Sequence, residues 1–321
     1  MRRLFALVLA GALALGLAST AWAGEDYGVY VKAVAKARGG FDQVVKETEE
    51  ALEVAGWKVL ASYESGVDKR CGKRAHNVVV VSDDYAREMM KQGFRGAFAA
   101  VIRVGIYEDR EGISVAFTNP ASINRTVLGD ETAVELSRRT MEELSDALVG
   151  GVPGDAANEQ IGEIRDKGYV GGMGGGKFMD KVKEIYFGGE FDDVVKGIEA
   201  SVAANEMGWK LIYKYQTPGY QGVIFGLTES ATEAKAFDIA GEKREKKDYV
   251  CPGIDHAAAF PIEVVAYKEG DDASVKVVTL NEMYRMKLYF QDAGNWAFMK
   301  NMTMPGHIQD EVVDASTSEL E

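Results

Sequence analysis

Gly40-Phe41-Asp42-Gln43-Val44-Val45-Lys46 returns as Glu190-Phe191-Asp192-Asp193-Val194-Val195-Lys196, and Gly56-Trp57-Lys58 returns as Gly208-Trp209-Lys210. In the first stretch Phe41, Val44, Val45, Thr48, Leu52 and Ala55 fall at i, i+3, i+4, i+7, i+11 and i+14; Phe191, Val194, Val195, Ile198 and Val202 repeat the spacing. Each run lays one apolar stripe along a helix, with Lys, Glu and Asp on the other side. Gly56 and Gly208 end these helices, since glycine accepts the left-handed C-cap backbone. Trp57 and Trp209 then open strands running to Tyr63 and Tyr213, and they read as core anchors.

The two copies are offset by 150 residues at Phe41 and Phe191, 152 at Trp57 and Trp209, and 160 at Tyr107 and Tyr267. Drift confined to the gaps between motifs is what loop insertions produce. A solenoid would instead hold one short period. Further strands are expected at 29–34, 77–81, 99–107 and 113–117, matched by 181–187, 222–227, 258–267 and 274–280, with helices at 84–91 and 232–243. Strand, helix, two strands, helix, two strands predicts an α+β fold: two similar two-layer sandwich domains, each with a mainly antiparallel sheet and helices on one face. The expected boundaries are a signal peptide at 1–23, a first repeat domain at 24–149, a Gly-rich linker at 150–176, a second repeat domain at 177–308 and an acidic disordered tail at 309–321.

Arg2 and Arg3 precede an apolar stretch at 4–17, and Ala21-Trp22-Ala23 supplies a small-x-small cleavage site. This is the layout of a secretory signal, and it predicts a periplasmic or secreted protein starting at Gly24. No later stretch offers the 18 or so apolar residues of a membrane span, so stable membrane insertion is not expected. Loss of Arg2 and Arg3 leaves 35 basic against 50 acidic side chains, a net charge of −15. Nucleic acid is therefore a poor partner, because binding it needs a clustered basic face.

The order Gly-x-Phe-Asp-x-Val-Val, helix, Gly-Trp-Lys, then a strand near Ile102-x-Val104-x-x-Tyr107 resembles the bacterial family called domain of unknown function 302, twice over, across most of 25–130 and 177–292. The resemblance implies a small α+β fold that self-associates, and it implies no activity. Members place a Pro-Cys pair at the entry to the strand equivalent to 99–107. Here those positions hold Phe98-Ala99-Ala100 and Ala258-Ala259-Phe260-Pro261, so no thiol role is carried over.

Candidate chemistry is sparse. Cys71 lies among Lys69, Arg70, Lys73 and Arg74, and Cys251 follows Lys243, Arg244, Lys246 and Lys247. Cationic neighbours favour a thiolate, while an oxidising compartment favours a disulfide. With His76 and His256, each five residues on, a shared Cys2His2 metal site is a further alternative. Met299, Met302, Met304 and His307, with Met283 and Met286 upstream, form either a soft copper(I) set or a packing stripe with Trp296. Gly171 to Gly176 lacks the Gly-Lys-Ser/Thr ending of a phosphate loop. No nucleophile elbow is present and three histidines are scattered, so catalysis is not indicated and no cofactor is expected. The leading expectation is a non-catalytic binding or accessory protein whose halves pair within the chain. Its ligand, a small molecule or a periplasmic protein, would sit between the copies beside Tyr63, Arg103, Tyr215, Tyr220 and Glu263. The alternative is a periplasmic copper, zinc or thiol redox protein.

Overall fold

The computed structural model describes residues 27–129, 132–165, 168–172, 174–241, 253–270 and 273–320. The leader expected at 1–23 lies outside these residues, as do Cys251 and the basic stretch 243–247. The first half runs β1 (Tyr27–Ala37), α1 (Phe41–Val54), β2 (Lys58–Glu64), β3 (Ala75–Val81), α2 (Asp83–Met90), α3 (Ala97–Ala100), β4 (Ile102–Glu108), β5 (Ile113–Thr118), α4 (Pro120–Leu128), α5 (Val134–Gly151) and β6 (Asp155–Arg165). The second runs β7 (Val182–Phe187), α6 (Phe191–Ala204), β8 (Lys210–Gln216), β9 (Gly222–Thr228), α7 (Ser230–Ala240), β10 (Ile262–Tyr267), β11 (Lys276–Leu280), α8 (Glu282–Phe290), α9 (Asn295–Lys300) and α10 (Met304–Thr317). No helix among the described residues is long and apolar enough to cross a membrane.

Two antiparallel sheets result, ordered β2-β3-β4-β5-β1-β6 and β7-β11-β10-β9-β8. Read from β2 and from β8, the first five positions follow the same path, giving the α+β architecture in two like units. The match continues past the sheets. Asn119 caps α4 by accepting from the Ala121 amide at 3.0 Å, and Asn281 caps α8 by accepting from Tyr284 at 3.2 Å. Helix α5 then packs on α1, as α10 packs on α6.

The helical stripes lie where the spacing puts them: Phe41, Val44, Val45 and Leu52 are buried on α1, and Phe191, Val194, Ile198 and Val202 on α6. Gly56 and Gly208 follow these helices at φ +87° and +88°, and both tryptophans are buried. Helices α1 and α5 cover one face of the first sheet. Its other face, over β3, β4 and β5, is covered by the turn Ile254–Ala259 of the second half. Strand alternation sends Val104 and Ile106 toward α1 and Arg103 and Gly105 toward that turn. Gly105 permits the approach: a Cβ there would stand 3.1 Å from both the Ala257 Cβ and the Ala258 amide. Burial on both faces explains why Val78 to Val81 is continuously apolar, and why even Arg103 within Ile102 to Ile106 is buried.

Three expectations require correction. The region 150–176 is not simply a linker, because Gly150 and Gly151 close α5 and residues 155–165 form β6 along the free edge of β1, pairing Tyr27 with Arg165 and Ala35 with Asp155. An edge strand exposed to water carries Asp, Asn, Glu and Gln without penalty, which hides it from an apolar pattern search. The tail from 309 onward is helix α10 as far as Thr317, with Ile308, Val312 and Ala315 buried against α6 and α8. The strands expected at 99–107 and 258–267 begin only at Ile102 and Ile262. The preceding alanine-rich residues form helical turns, in line with alanine's helical preference, and the one at Ile254–Ala259 packs on the first sheet.

Candidate functional site

Of the residues nominated for a cleft between the copies, Arg103 and Glu263 bind each other across the halves, while Tyr63 and Tyr215 bind carboxylates of the opposite half. Arg103 on β4 and Glu263 on β10, at corresponding strand positions, form a buried ion pair at 3.1 Å with side-chain exposures of 2% and 8%. The Arg103 guanidinium also donates to the Pro261 carbonyl at 3.2 Å and to the Tyr289 hydroxyl, and lies 4.7 Å from the Tyr289 ring centre. Burial raises the Glu263 pKa and Arg103 pulls it back. Beside this pair Arg285 donates through Nε to both Glu282 oxygens at 2.9 Å, and through Nη1 to the Ala259 carbonyl at 2.9 Å.

A second polar group closes the β2 end of the seam. Glu233 of α7 reaches into the first half, accepting from the Tyr63 hydroxyl at 3.2 Å and from the Gly66 amide, while Thr228 of β9 donates at 2.7 Å. Burial lifts the Glu233 pKa to about 7, although these three donors favour the carboxylate. Asn77 of β3 donates to the Ala257 carbonyl at 2.8 Å. At the matching place Tyr215 of β8 donates to Asp83 of α2 at 2.9 Å. Tyr220 is half-buried near Tyr267, whose ring stacks on Phe94 of the first half at 4.4 Å.

In the third group, sequence reasoning took His256 only for a metal-ligand candidate and missed its carboxylate partners. His256 is buried at the seam, with Nδ1 2.9 Å from Asp255 and Nε2 2.9 Å from Asp292. Its ring stacks on Phe290 at 5.2 Å and meets the edge of Tyr30 at 5.5 Å. Burial opposes charge on the ring, yet the two carboxylates prevail and hold its pKa up at about 9. An imidazolium with both nitrogens engaged has no free position for a metal or a substrate proton. Only the acidic neighbour Asp255 marked it in the sequence, since Asp292 arrives from beyond α8.

Cys71 is disulfide-bonded, and Cys251, the chain's one other cysteine, lies outside the described residues. This overturns the Cys2His2 alternative, because a disulfide sulfur is not a thiolate ligand and His256 is already held. His76, whose pKa burial lowers, contacts the Ser62 hydroxyl at 2.7 Å on the neighbouring strand. Among the described residues no third group orients that ring as a catalytic triad requires.

The methionine cluster divides. Trp296, Met299 and Met302 are 63%, 53% and 50% exposed, so they are not the packing stripe the spacing allowed. Met286 lines a narrow apolar crevice with Phe290 and Phe298, with room of only about 20 Å³. Met304 and His307 face an open groove between α7 and α10 of roughly 990 Å³, including its mouth. Met207, from the turn before Trp209, lines the same groove, together with Thr232, Lys235, Glu229 and Glu311. Glu229 spends its oxygens on the Ala231 and Thr232 amides at the head of α7, and Glu311 accepts from the Trp209 indole at 3.1 Å.

No family model matches the chain, and no curated protein matches it. Among solved structures, an uncharacterised conserved DUF302 protein from Bacillus stearothermophilus is 15% identical, covering 38% of this chain and 94% of its own, with a TM-score of 0.31. The di-domain ARO/CYC StfQ from the steffimycin biosynthetic pathway is 11% identical over 92% of this chain and 98% of its own, with a TM-score of 0.19.

Proposed function

We propose that this chain is an exported, non-catalytic binding protein in which two diverged copies of a domain resembling DUF302 are fused into a locked pseudo-dimer, and whose ligand enters the groove between α7 and α10 rather than the seam. The Arg103–Glu263 pair carries this reading. Where two identical domains meet about a twofold axis, a residue near the axis faces its own copy. Two buried arginines or two buried glutamates would repel there. One of each is open only to copies free to diverge within one chain.

The remaining support is where polar groups are spent. Tyr63, Tyr215, Arg103 and Glu263 are consumed in joining the halves, whereas the groove presents thioether, imidazole, hydroxyl and ammonium groups to solvent. Concave sites with a few polar groups on an apolar floor are where small ligands bind. Protein isolated from its native compartment is expected to show, in a native mass spectrum, mass above that of residues 24–321 which disappears on denaturation. Thr232→Trp, which fills the groove, is expected to lose that mass. Bare chain in repeated isolations, or bound mass indifferent to Thr232→Trp, would count against the groove.

A further inference from the structure

We infer that the groove between α7 and α10 is a copper(I) site built from Met207, Met304 and His307, an inference that rests on the groove being the binding site proposed above. The local geometry follows from helix spacing. Met304 and His307 stand three residues apart in the first turn of α10, so they share a face, and the next residues on that face, Ile308 and Glu311, also line the groove. Met207 comes from the far wall, on the turn that Trp209 anchors by its hydrogen bond to Glu311. Two thioethers and an imidazole therefore line one solvent-open concavity.

The choice of metal follows from which donors are free. Thioether and imidazole suit copper(I), while zinc favours imidazole, thiolate and carboxylate. The carboxylates at this groove are engaged, Glu229 by two backbone amides and Glu311 by an indole. Among the described residues no three His, Cys, Asp or Glu side chains are grouped to hold a metal ion, so a zinc set is not assembled. Lys235 and Lys300 offset the charge of the two carboxylates, which penalises a divalent ion more than a monovalent one. Met299 and Met302 point to solvent nearby and are not required.

The test is an anaerobic titration of the mature chain, disulfide intact, with copper(I) held by bicinchoninate. One equivalent is expected to leave the chelator, and X-ray absorption of the complex should show sulfur and nitrogen neighbours. His307→Ala and Met304→Leu should each weaken binding by roughly tenfold or more. Met299→Leu with Met302→Leu should leave it unchanged. His307 is exposed, so its variant tests the ligand without testing the fold; Met207→Leu conserves volume and gives an independent check. Copper left wholly with the chelator, equal uptake of zinc, or affinity indifferent to both His307→Ala and Met304→Leu overturns the assignment. Organic mass retained in the groove without copper uptake sinks copper alone, and the absence of both sinks the groove as well.

Discussion

Glu263→Ala is expected to destabilise the protein by about 3–5 kcal/mol, because it leaves the Arg103 guanidinium buried without its counter-charge. Arg103 is 2% exposed, and its remaining partners, the Pro261 carbonyl and Tyr289, are neutral dipoles. Neither replaces a carboxylate at 3.1 Å. Removing both charges together should behave differently. Arg103→Met with Glu263→Leu substitutes apolar groups of similar reach and is expected to recover most of the loss, since isosteric apolar replacement of a buried pair is often neutral. Denaturant midpoints for the two single variants and the double variant would measure the coupling. A Glu263→Ala variant within about 1 kcal/mol of the parent would mean that the pair is solvated and the seam looser than described.

Stability is expected to fall as pH rises from 5 to 9, in two steps with separate owners. A group whose folded pKa exceeds its unfolded value holds its proton more tightly in the folded protein, so protonation favours folding. Glu233 is raised from 4.5 to about 7, so its contribution is complete below pH 4.5 and is lost as pH passes 7. His256 is raised from 6.5 to about 9, so its contribution is complete below pH 6.5 and is gone above pH 9. Each step is worth up to about 3 kcal/mol at 1.36 kcal/mol per unit. Glu233 faces Tyr63, Thr228 and Glu229, and His256 faces Asp255, Asp292 and Tyr30, so none of the immediate neighbours supplies a competing cation. Urea unfolding at pH 5.5, 7.5 and 9.5 should show the decline. Glu233→Gln should flatten the lower step and His256→Gln the upper one. Stability constant across this range, or rising with pH, contradicts the assignment of both groups.

The strand and helix order was legible in the sequence because one amphipathic helix followed by Gly-Trp-Lys was spelled out twice. What stayed hidden shares a physical cause. Strand β6 sits at a sheet edge and carries Asp155, Asn158, Glu159 and Gln160, so it lacks the alternation by which strands are recognised. Helix α10 sits in an acidic stretch and buries Gln309, Ala315 and Ser316 alongside Ile308 and Val312, a thinner stripe than that of α1. Yet α10 fills the place that α5 fills in the first half, which a search for equal length after β11 could have suggested.

The seam was legible in part. Tyr63, Arg103, Tyr215 and Glu263 drew attention as polar or aromatic groups outside the core periodicity, and they do meet at the boundary between the halves. That Arg103 would face Glu263 was not readable, since partners 160 residues apart in the chain are joined only by the fold. His256 was hidden for the same reason, because Asp292 reaches it from a separate element. Met207 lies far from Met304 in the chain, and nothing local pairs a methionine in a helix-to-strand turn with the first turn of the C-terminal helix. Continuous apolar runs such as Val78 to Val81 were a further overlooked signal, since they imply that the second sheet face is also covered.

Calorimetric unfolding of residues 24–321, with the Cys71 disulfide intact, at pH 6 tests the interlocked halves most directly. With Arg103–Glu263, Tyr63–Glu233 and Tyr215–Asp83 all bridging the seam, the two sheets should melt in one transition whose calorimetric and van't Hoff enthalpies agree. Two resolved transitions, with Glu263→Ala shifting neither of them, would contradict the locked pseudo-dimer.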